Sequence, residues 1–549
     1  NIIVNTTDKG TVRLILNNAS ISNTTTAPIK VLDAKKVILT LADNTTNTIT
    51  DSSRLSTEED YSAAIYSKEN LIINGNGTLN VNAGYRNGIK STDDCIIVSG
   101  TLNITSTEDG IIGKDLCGVV AGDININAGS DGIKSTYDTD TTKGNVIIEG
   151  GNITIKASND GIQAENILVI NDGTINIKTN NGAADTTQTH TDNMYMGRGG
   201  FGFNNNKTTT TRDDTAESRK GIKAGNMLII NDGDITIDSD DDSVHCNSEI
   251  YIYGGTINAA TGDDGVHADD LLTVNGGTIN ITQCYEGIEA DDIVINDGDI
   301  SVVSSDDGIN SSDGSITING GNLLINASGD GLDANGSIII NGGYIVVLGP
   351  TSDGDTAIDY DDSCTINGGT VMAFGSSGML EIPKGASNGA CIVTAFTSVS
   401  GGSKYTLSDS NGNEILSYTP SKAYAAAIVY SDKITTGNTY DITAGSTTLS
   451  IEVTSDVTSN VSSGLGKAGG MNMPGNGGSG MPNNGSSDNG MNGNSNGSMP
   501  DMSGNGAPDM NGNSSGDMPS MGGNSSNNGG NMPNMNNGSS NGSAPQMNN

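Results

Sequence analysis

Acidic residues recur along this chain at a spacing that could bring their carboxylates together. An acid stands directly before a recurring glycine, or before the residue replacing it, at Asp109, Asp131, Asp160, Asp242, Asp264, Glu286, Asp307 and Asp330. Carboxylates held close together repel one another without a counterion, and Ca²⁺ binds six to eight oxygens at about 2.3–2.6 Å. We therefore predict that Ca²⁺ is bound and that its ligands come from Asp131, Asp160, Asp241, Asp242, Asp263, Asp264, Glu286, Asp306, Asp307 and Asp330. The alternative, that an Asp-Gly pair only builds a turn, stays open for any single aspartate.

A second column of positions lies two residues after each recurring glycine or its replacement. It contains Lys90, Ile112, Lys134, Gln163, Lys223, His245, His267, Glu289, Asn310, Asp333 and Asp359. Its charge changes from basic to acidic along the chain, and a cationic stretch beside metal sites suits an extended acidic sugar polymer. We predict substrate contacts at Lys90, Lys134, Lys223, His245 and His267. His245, His267 and Glu289 could together bind a transition metal, although a solvated surface ladder is the favoured interpretation.

A repeat sets the fold that must position these two columns. A marker glycine recurs at Gly77, Gly100, Gly122, Gly151, Gly173, Gly233, Gly255, Gly277, Gly298, Gly321, Gly343 and Gly369, mostly 21–23 residues apart. Such a period indicates a solenoid, and the consensus of leucine-rich repeats is missing. In residues 265–281 three runs alternate apolar and polar side chains, as strands with one buried face do. The sequence predicts an all-β, right-handed parallel β-helix with three strands per coil of about 22 residues.

An asparagine often stands two positions before the marker glycine. These asparagines are Asn171, Asn231, Asn275, Asn296, Asn319, Asn341 and Asn367. Successive coils of a β-helix lie about 4.8 Å apart, so their side-chain amides can hydrogen-bond from coil to coil. We expect this ladder to be structural.

The repeat divides the chain into three parts. Residues 1–380 are predicted to form the β-helix. Before residue 73 the coils follow the repeat spacing less closely, and a long projecting loop is predicted at about 180–218. Residues 381–460 still alternate apolar and polar side chains as strands do, but they lack the regular repeat spacing. This predicts a small β cap over the last coil. Residues 461–549 are rich in Gly, Asn, Ser, Pro and Met, and this composition predicts a disordered tail.

Composition narrows the possible partners. The formal net charge of −39 disfavours nucleic acid and anionic membranes. No apolar run approaches the roughly 18 residues of a membrane-spanning helix. The six cysteines lack zinc-site spacing and are expected to be buried; Cys95 and Cys117 should stack, which leaves a disulfide between them open. The Thr/Asn/Gly/Ser-rich solenoid and its tail favour an extracellular or cell-surface protein, with any export signal lying before residue 1.

The repeats at residues 131–135, 160–165 and 275–281 resemble a known family. The chain is similar there to secreted clostridial carbohydrate-binding β-helix proteins related in fold to polysaccharide lyases, and the resemblance extends over about residues 1–455, including 417–424. The resemblance implies a right-handed β-helix, bound calcium, and binding of plant cell-wall polysaccharide such as polygalacturonate or cellulose.

Three functions follow as hypotheses. The first is a non-catalytic binder of acidic polysaccharide, in which calcium bridges to uronate carboxylates and the lysines add charge pairs. The second is a calcium-dependent pectate lyase-like enzyme with Lys134 or Lys223 as the base; a hydrolase is disfavoured, because the Gly-His-Gly and Arg-Ile-Lys segments expected beside its carboxylates are absent. The third is a surface or filament component tethered to the cell wall by the tail. We favour the binder.

Overall fold

The computed structural model describes residues 1–6, 10–52, 61–184 and 218–461. In these residues the predicted parallel β-solenoid is confirmed, with three long parallel sheets and almost no helix. Most of the predicted loop at 180–218 and nearly all of the predicted tail at 461–549 lie outside the described residues. No helix among the described residues is long and apolar enough to cross a membrane.

Each coil contributes one strand to each of three sheets, which we call A, B and C. Sheet A consists of Ile2–Asn5, Ile29–Asp33, Ala63–Ser67, Asn87–Ser91, Ile111–Gly113, Ile133–Lys134, Ile162–Ala164, Ile222–Ala224, Val244–Cys246, Val266–Ala268, Ile288–Ala290, Ile309–Ser311, Leu332–Ala334 and Ile358–Tyr360. Sheet B consists of Thr11–Leu16, Lys36–Leu41, Asn70–Gly75, Cys95–Ile97, Leu116–Val119, Asn145–Ile148, Ile167–Ile170, Met227–Ile230, Glu249–Ile252, Leu271–Val274, Asp292–Ile295, Ile316–Ile318, Ser337–Ile340, Ser363–Ile366 and Gly385–Ala386. The parallel part of sheet C consists of Ser20–Asn23, Thr46–Asp51, Thr78–Ala83, Thr101–Ser106, Asp123–Ala128, Asn152–Ala157, Thr174–Thr179, Asp234–Ser239, Thr256–Thr261, Thr278–Cys284, Asp299–Ser304, Asn322–Asn326, Tyr344–Leu348 and Thr370–Gly375. A short 3₁₀ turn lies at Gly182–Ala184.

The chain after the last coil forms an antiparallel cap. Tyr424–Ser431 pairs antiparallel with Thr370–Gly375, and Ala390–Val399 and Val457–Ser459 extend sheet C beyond it. A four-stranded antiparallel sheet packs nearby, formed by Glu414–Tyr418, Tyr405–Asp409, Thr439–Ala444 and Thr447–Glu452. These strands fall within residues 381–460, where the cap is predicted, and they cover the sheet edge that the last coil would otherwise expose.

Alternation of side chains builds the core as the repeat predicts. Within one coil Val266 and Ala268, Leu272 and Val274, and Ile279 and Ile281 are all fully buried. The asparagine ladder is also present, since Asn296, Asn319, Asn341 and Asn367 each donate to the asparagine one coil earlier at 2.8–3.0 Å. All six cysteines are buried and free, and Cys95 lies beside Cys117 in sheet B.

The glycine that recurs at the start of most sheet A strands is required by its packing partner in sheet C. A Cβ at Gly265 would lie 2.4 Å from Cδ1 of Ile281 and 2.5 Å from the carbonyl oxygen of Gly287. One coil earlier the glycine is replaced by Ser243, and the isoleucine of sheet C is replaced there by Ala259, which aligns with Ile281. The smaller side chain in sheet C therefore makes the room that the Cβ of Ser243 needs.

Ala259→Ile should destabilise the solenoid, because the larger side chain would collide with Ser243 in a close-packed core. We expect a loss of about 1–3 kcal/mol, as for other overpacked cores. The double variant Ser243→Gly/Ala259→Ile should recover most of that loss, because it recreates the pairing of neighbouring coils. Urea denaturation followed by circular dichroism measures both; equal stability of the two variants would show that the pair is not coupled.

Candidate functional site

The second column predicted from the sequence is a continuous row on the outer face of sheet A. Each residue lies directly beside the next in the strand register, from Lys90 and Ile112 to Asp333 and Asp359. Up to His267 the row is basic except at Ile112 and Gln163, and from Glu289 onward it is acidic except at Asn310. Coil stacking thus brings residues 21 to 60 positions apart in the sequence into contact.

The acid column lies immediately beside this row and has a structural task of its own. The Asp160 N–H donates to Oδ1 of Asp131 at 3.0 Å, and the Asp264 N–H donates to Oδ1 of Asp242 at 3.2 Å. The same contact joins Asp109 to Asp131, Asp264 to Glu286, and Asp307 to Asp330. One carboxylate oxygen therefore accepts a hydrogen bond from the backbone N–H of the next coil. In several coils the second oxygen contacts a side chain of the outward row.

At the basic end, lysines of the row approach acids of the column. Lys134 Nζ lies 2.6 Å from Oδ2 of Asp131, and Lys223 Nζ lies 3.9 Å from Oδ2 of Asp160. Burial opposes ionisation of Lys134, but Asp131 outweighs it and raises the pKa of that ammonium. Burial lowers the pKa of Lys90, the third predicted lysine. Among the described residues, the groups of three or more potential ligand atoms within 4.8 Å of one another do not include Asp131 or Asp160, so calcium binding by these two aspartates stays a prediction.

Lys220 is a site residue that the sequence reasoning missed. It is 5 % exposed, its Nζ lies 3.1 Å from Oδ1 of Asp241, and it also forms an ion pair with Asp242. Burial disfavours charge at Asp242, yet Lys220, His245 and His267 hold the pKa of this carboxyl well below its usual range. Lys220 occupies the acid-column position before Gly221, so the break in the column was the signal that could have revealed it.

Asp241, Asp242 and Asp263 bring their carboxylates within 4.8 Å of one another, as predicted for calcium ligands. All three are buried. The ammonium of Lys220, however, already supplies positive charge to two of them. Part of the negative charge of this cluster is therefore already neutralised by Lys220, and a bound metal ion is needed less than the number of carboxylates alone indicates.

The two histidines of the row are held by the acid column. His245 Nδ1 lies 2.8 Å from Oδ2 of Asp242, and His267 Nδ1 lies 3.2 Å from Oδ2 of Asp264. The favoured interpretation of a solvated ladder is wrong for His245, which is only 7 % exposed. Burial lowers the pKa of His267, but Asp264, Asp242 and Glu289 outweigh it and raise that pKa to about 10.

At the acidic end, carboxylates lie together without a basic side chain. Asp307, Asp330 and Asp333 bring ligand oxygens within 4.8 Å of one another. Among the described residues, no lysine, arginine or histidine forms an ion pair with any of the three. Burial, followed by the neighbouring acids, raises the pKa of Asp307 to about 8, of Asp330 to about 9 and of Asp333 to about 7. Ionisation of this group is therefore opposed first by burial and then by the neighbouring carboxylates.

The remaining predicted ligands lie around this group. Asp306 is adjacent to Asp307 and raises its pKa. Glu286 accepts a hydrogen bond from Asn310 Nδ2 at 2.9 Å, and its pKa is raised to about 10, first by burial and then by Glu289. Asp333 was not among the predicted ligands, although it belongs to the outward row. A further acid cluster on sheet B, formed by Asp93, Asp94 and Asp115, was also missed.

Comparison with known proteins gives consistent descriptions. A family model described as carbohydrate-binding domain-containing protein matches residues 1–265 and 262–496. A carbohydrate-binding domain-containing protein of Acetivibrio thermocellus is 38% identical over 95 residues, which is 17% of this chain and 33% of that protein. The chain thus covers a third of that relative's length. A solved polysaccharide lyase-like protein from C. thermocellum, a gadolinium derivative, shares 34% identity over 33% of this chain and 74% of its own, with a TM-score of 0.32.

Proposed function

This chain belongs to the family of carbohydrate-binding domain-containing proteins, and we propose that it binds an acidic polysaccharide of the polygalacturonate type outside the cell. The observation that carries the proposal is the single row on sheet A, where lysines lead into a group of uncompensated acids. Successive coils lie about 4.8 Å apart, and the lysines occupy alternate positions of the row, so neighbouring ammonium groups are separated by two coil spacings. The row therefore offers an extended polyanion a line of ammonium groups followed by a place for bridging cations.

Calcium fits the acidic end of the row best. Asp307, Asp330 and Asp333 supply carboxylate oxygens within 4.8 Å of one another, and Asp306 stands beside them. A hard cation with oxygen ligands is what such a donor set selects. Bound there, calcium would neutralise the group and leave coordination positions for uronate carboxylates. Asp131 and Asp160, in contrast, act through Lys134 and the backbone of the next coil.

The lysines provide the direct contacts to the polymer. Lys134 and Lys223 lie on one face, separated by a single row position at Gln163. Each ammonium has three donors, so the contact of Lys134 with Asp131 leaves donors for an incoming carboxylate. Lys90 lies two positions further along the row.

Removal of calcium should abolish retention on immobilised polygalacturonate. We expect the protein to elute without retention in chelator and to be retained again when Ca²⁺ is restored. Asp307→Asn/Asp330→Asn should lose the calcium dependence, and Lys134→Gln/Lys223→Gln should weaken retention at low salt. Asp115→Asn, in the sheet B cluster, is the matched control and should behave as the unaltered protein. Undiminished retention in chelator would contradict the proposed role of calcium, and a carbohydrate array with and without chelator would identify the preferred polymer.

A pectate lyase-like enzyme is the second candidate, because basic residues lie beside acids along one face. Asp131 holds Lys134 as an ammonium by raising its pKa, which opposes its use as a base. We therefore favour binding over cleavage. Incubation with polygalacturonate separates the two, since a lyase generates an unsaturated product that absorbs in the ultraviolet, whereas a binder leaves the polymer intact.

A further inference from the structure

Two imidazoles and three carboxylates converge in the middle of the row. The rings of His245 and His267 lie edge to face with their centroids 4.9 Å apart. Ligand atoms of Asp242, His245 and His267 lie within 4.8 Å of one another, as do those of Asp264, His267 and Glu289. The two groups share His267, so one compact set of donors spans three successive coils.

One of these donors is buried without a hydrogen bond. His245 Nε2 is 2.8 Å from Oδ1 of Asn247, which fixes the orientation of the ring. His245 Nδ1 faces Oδ2 of Asp242 at 2.8 Å, yet it makes no hydrogen bond, although it is shielded from solvent. A buried polar atom of this kind normally has a partner. His245 Nδ1 is therefore held against the carboxylate of Asp242 in an ion-pair contact outside hydrogen-bond geometry, an arrangement in which a bound cation could take both atoms as ligands.

The spacing of the donors agrees with a tetrahedral metal site. Zinc binds nitrogen and oxygen at about 2.0–2.2 Å, so neighbouring ligands of a tetrahedral ion lie about 3.3–3.6 Å apart. From His267 Nδ1, the distances are 3.2 Å to Asp264, 3.5 Å to Glu289 and 3.8 Å to Asp242. The 2.8 Å between His245 and Asp242 is the shortest of the set. Small side-chain movements would bring these ligand atoms to bonding distance from one ion.

We propose that Asp242, His245 and His267 form a binding site for a borderline divalent transition-metal ion such as Zn²⁺, with Asp264 or Glu289 as the fourth ligand. Two imidazole nitrogens select such an ion over Ca²⁺, which prefers oxygen. The site is thus distinct from the all-carboxylate group at Asp307, Asp330 and Asp333. Bound metal would join two coils with Asp264 as the fourth ligand, or three with Glu289, on the sheet A face that carries the lysines.

The charge around the site favours a cation despite the nearby ammonium of Lys220. Lys220 contacts Asp242, which is one of the proposed ligands. Asp264 and Glu289 add two further carboxylates at the same ring nitrogen, His267 Nδ1, that Asp242 approaches. A metal ion bound to the imidazole nitrogens would take the place of a proton there. Its positive charge would then balance the negative charge of these carboxylates.

Titration of the calcium-free protein with Co²⁺ and Zn²⁺ tests the site. We expect one Co²⁺ per chain with the visible absorption of a tetrahedral nitrogen and oxygen site, displaced by Zn²⁺ but not by an equal concentration of Ca²⁺. His245→Gln and His267→Gln should each weaken Zn²⁺ binding by more than about 100-fold, beyond the effect of losing an outer partner. Asp115→Asn is the control and should bind Zn²⁺ as the unaltered protein does.

Three results would overturn the proposal. These are an octahedral cobalt spectrum, displacement of cobalt by equimolar Ca²⁺, or unchanged Zn²⁺ affinity in a folded His245→Gln variant. Circular dichroism of each metal-free variant establishes that it is folded, and the cobalt spectrum of the unaltered protein tests the site without any substitution. The tetrahedral cobalt spectrum should be unchanged in Asp307→Asn/Asp330→Asn, which lacks two of the proposed calcium ligands, so failure of the transition-metal site and failure of the proposed calcium-dependent binding are distinguishable.

Discussion

Lys220→Met should destabilise the solenoid more than any other single change at the site. Methionine keeps the length of the side chain but removes the ammonium that pairs with Asp241 and Asp242. Removing one partner of a buried ion pair leaves an uncompensated charge and costs about 3–5 kcal/mol. Because coils of a solenoid can open locally, we expect lower thermal and urea midpoints together with faster hydrogen exchange in Ile222–Ala224 and Val244–Cys246.

Two comparisons show whether buried charge is the cause. Lys220→Met/Asp242→Asn removes both partners of one of the two ion pairs and leaves Asp241, so it should recover part of the stability lost in the single variant. Lys143→Met breaks an ion pair with Asp115 in which the lysine is solvent-accessible, so it should have little effect. If Lys220→Met and Lys143→Met destabilise the protein equally, the buried position of Lys220 has no special weight.

The repeat made most of the fold predictable, because side-chain alternation and a constant coil length together fix which residues stack. The row from Lys90 to Asp359 and the asparagine ladder follow from counting residues along the sequence. Counting works in a β-helix since each position contacts its equivalent one coil later. Packing pairs such as Ser243 and Ala259 lie 16 residues apart within one coil. Such pairs can be identified only from the structure, because they depend on how sheet A packs against sheet C.

The charge compensation within the site could not be predicted in the same way. Lys220 lies 60 residues after Asp160, its neighbour in the acid column, because the segment around residues 185–217 interrupts the period. Nor does a column position reveal which side chains are shielded. His245 is buried because His267 covers its ring and Asp242 and Asn247 hold its nitrogens, while Asp333 in the same row faces only acids. Rotamers and neighbours, and not the period, decide these differences.

Without divalent cations, the stability of the protein should fall as the pH rises from about 4 to about 9. Burial and neighbouring acids raise the pKa of Glu286 to about 10, of Asp330 to about 9, of Asp307 to about 8, and of Asp333 and Glu289 to about 7. Each folded carboxyl holds its proton more tightly than the unfolded chain does, so stability is fully present below the unfolded pKa near 4 and is lost as pH rises through the folded pKa. A tenfold difference in acid dissociation constant between the folded and unfolded chain corresponds to about 1.4 kcal/mol, so five such groups should give a readily measured decline.

Calcium should remove the part of this decline that comes from Asp307, Asp330 and Asp333, because it stabilises their ionised carboxylates in the folded chain. At a free concentration about 100 times its dissociation constant, a ligand of the native state adds about 2.7 kcal/mol. Thermal unfolding in chelator and in excess Ca²⁺, from pH 5 to pH 9, measures the effect, and the two curves should diverge as pH rises. Asp307→Asn/Asp330→Asn should flatten the curve in chelator and lose the response to Ca²⁺, whereas the exposed Asp313→Asn should keep both. Stability that rises with pH in chelator would contradict the assignment, since it would mean that these carboxyls are already compensated within the folded chain.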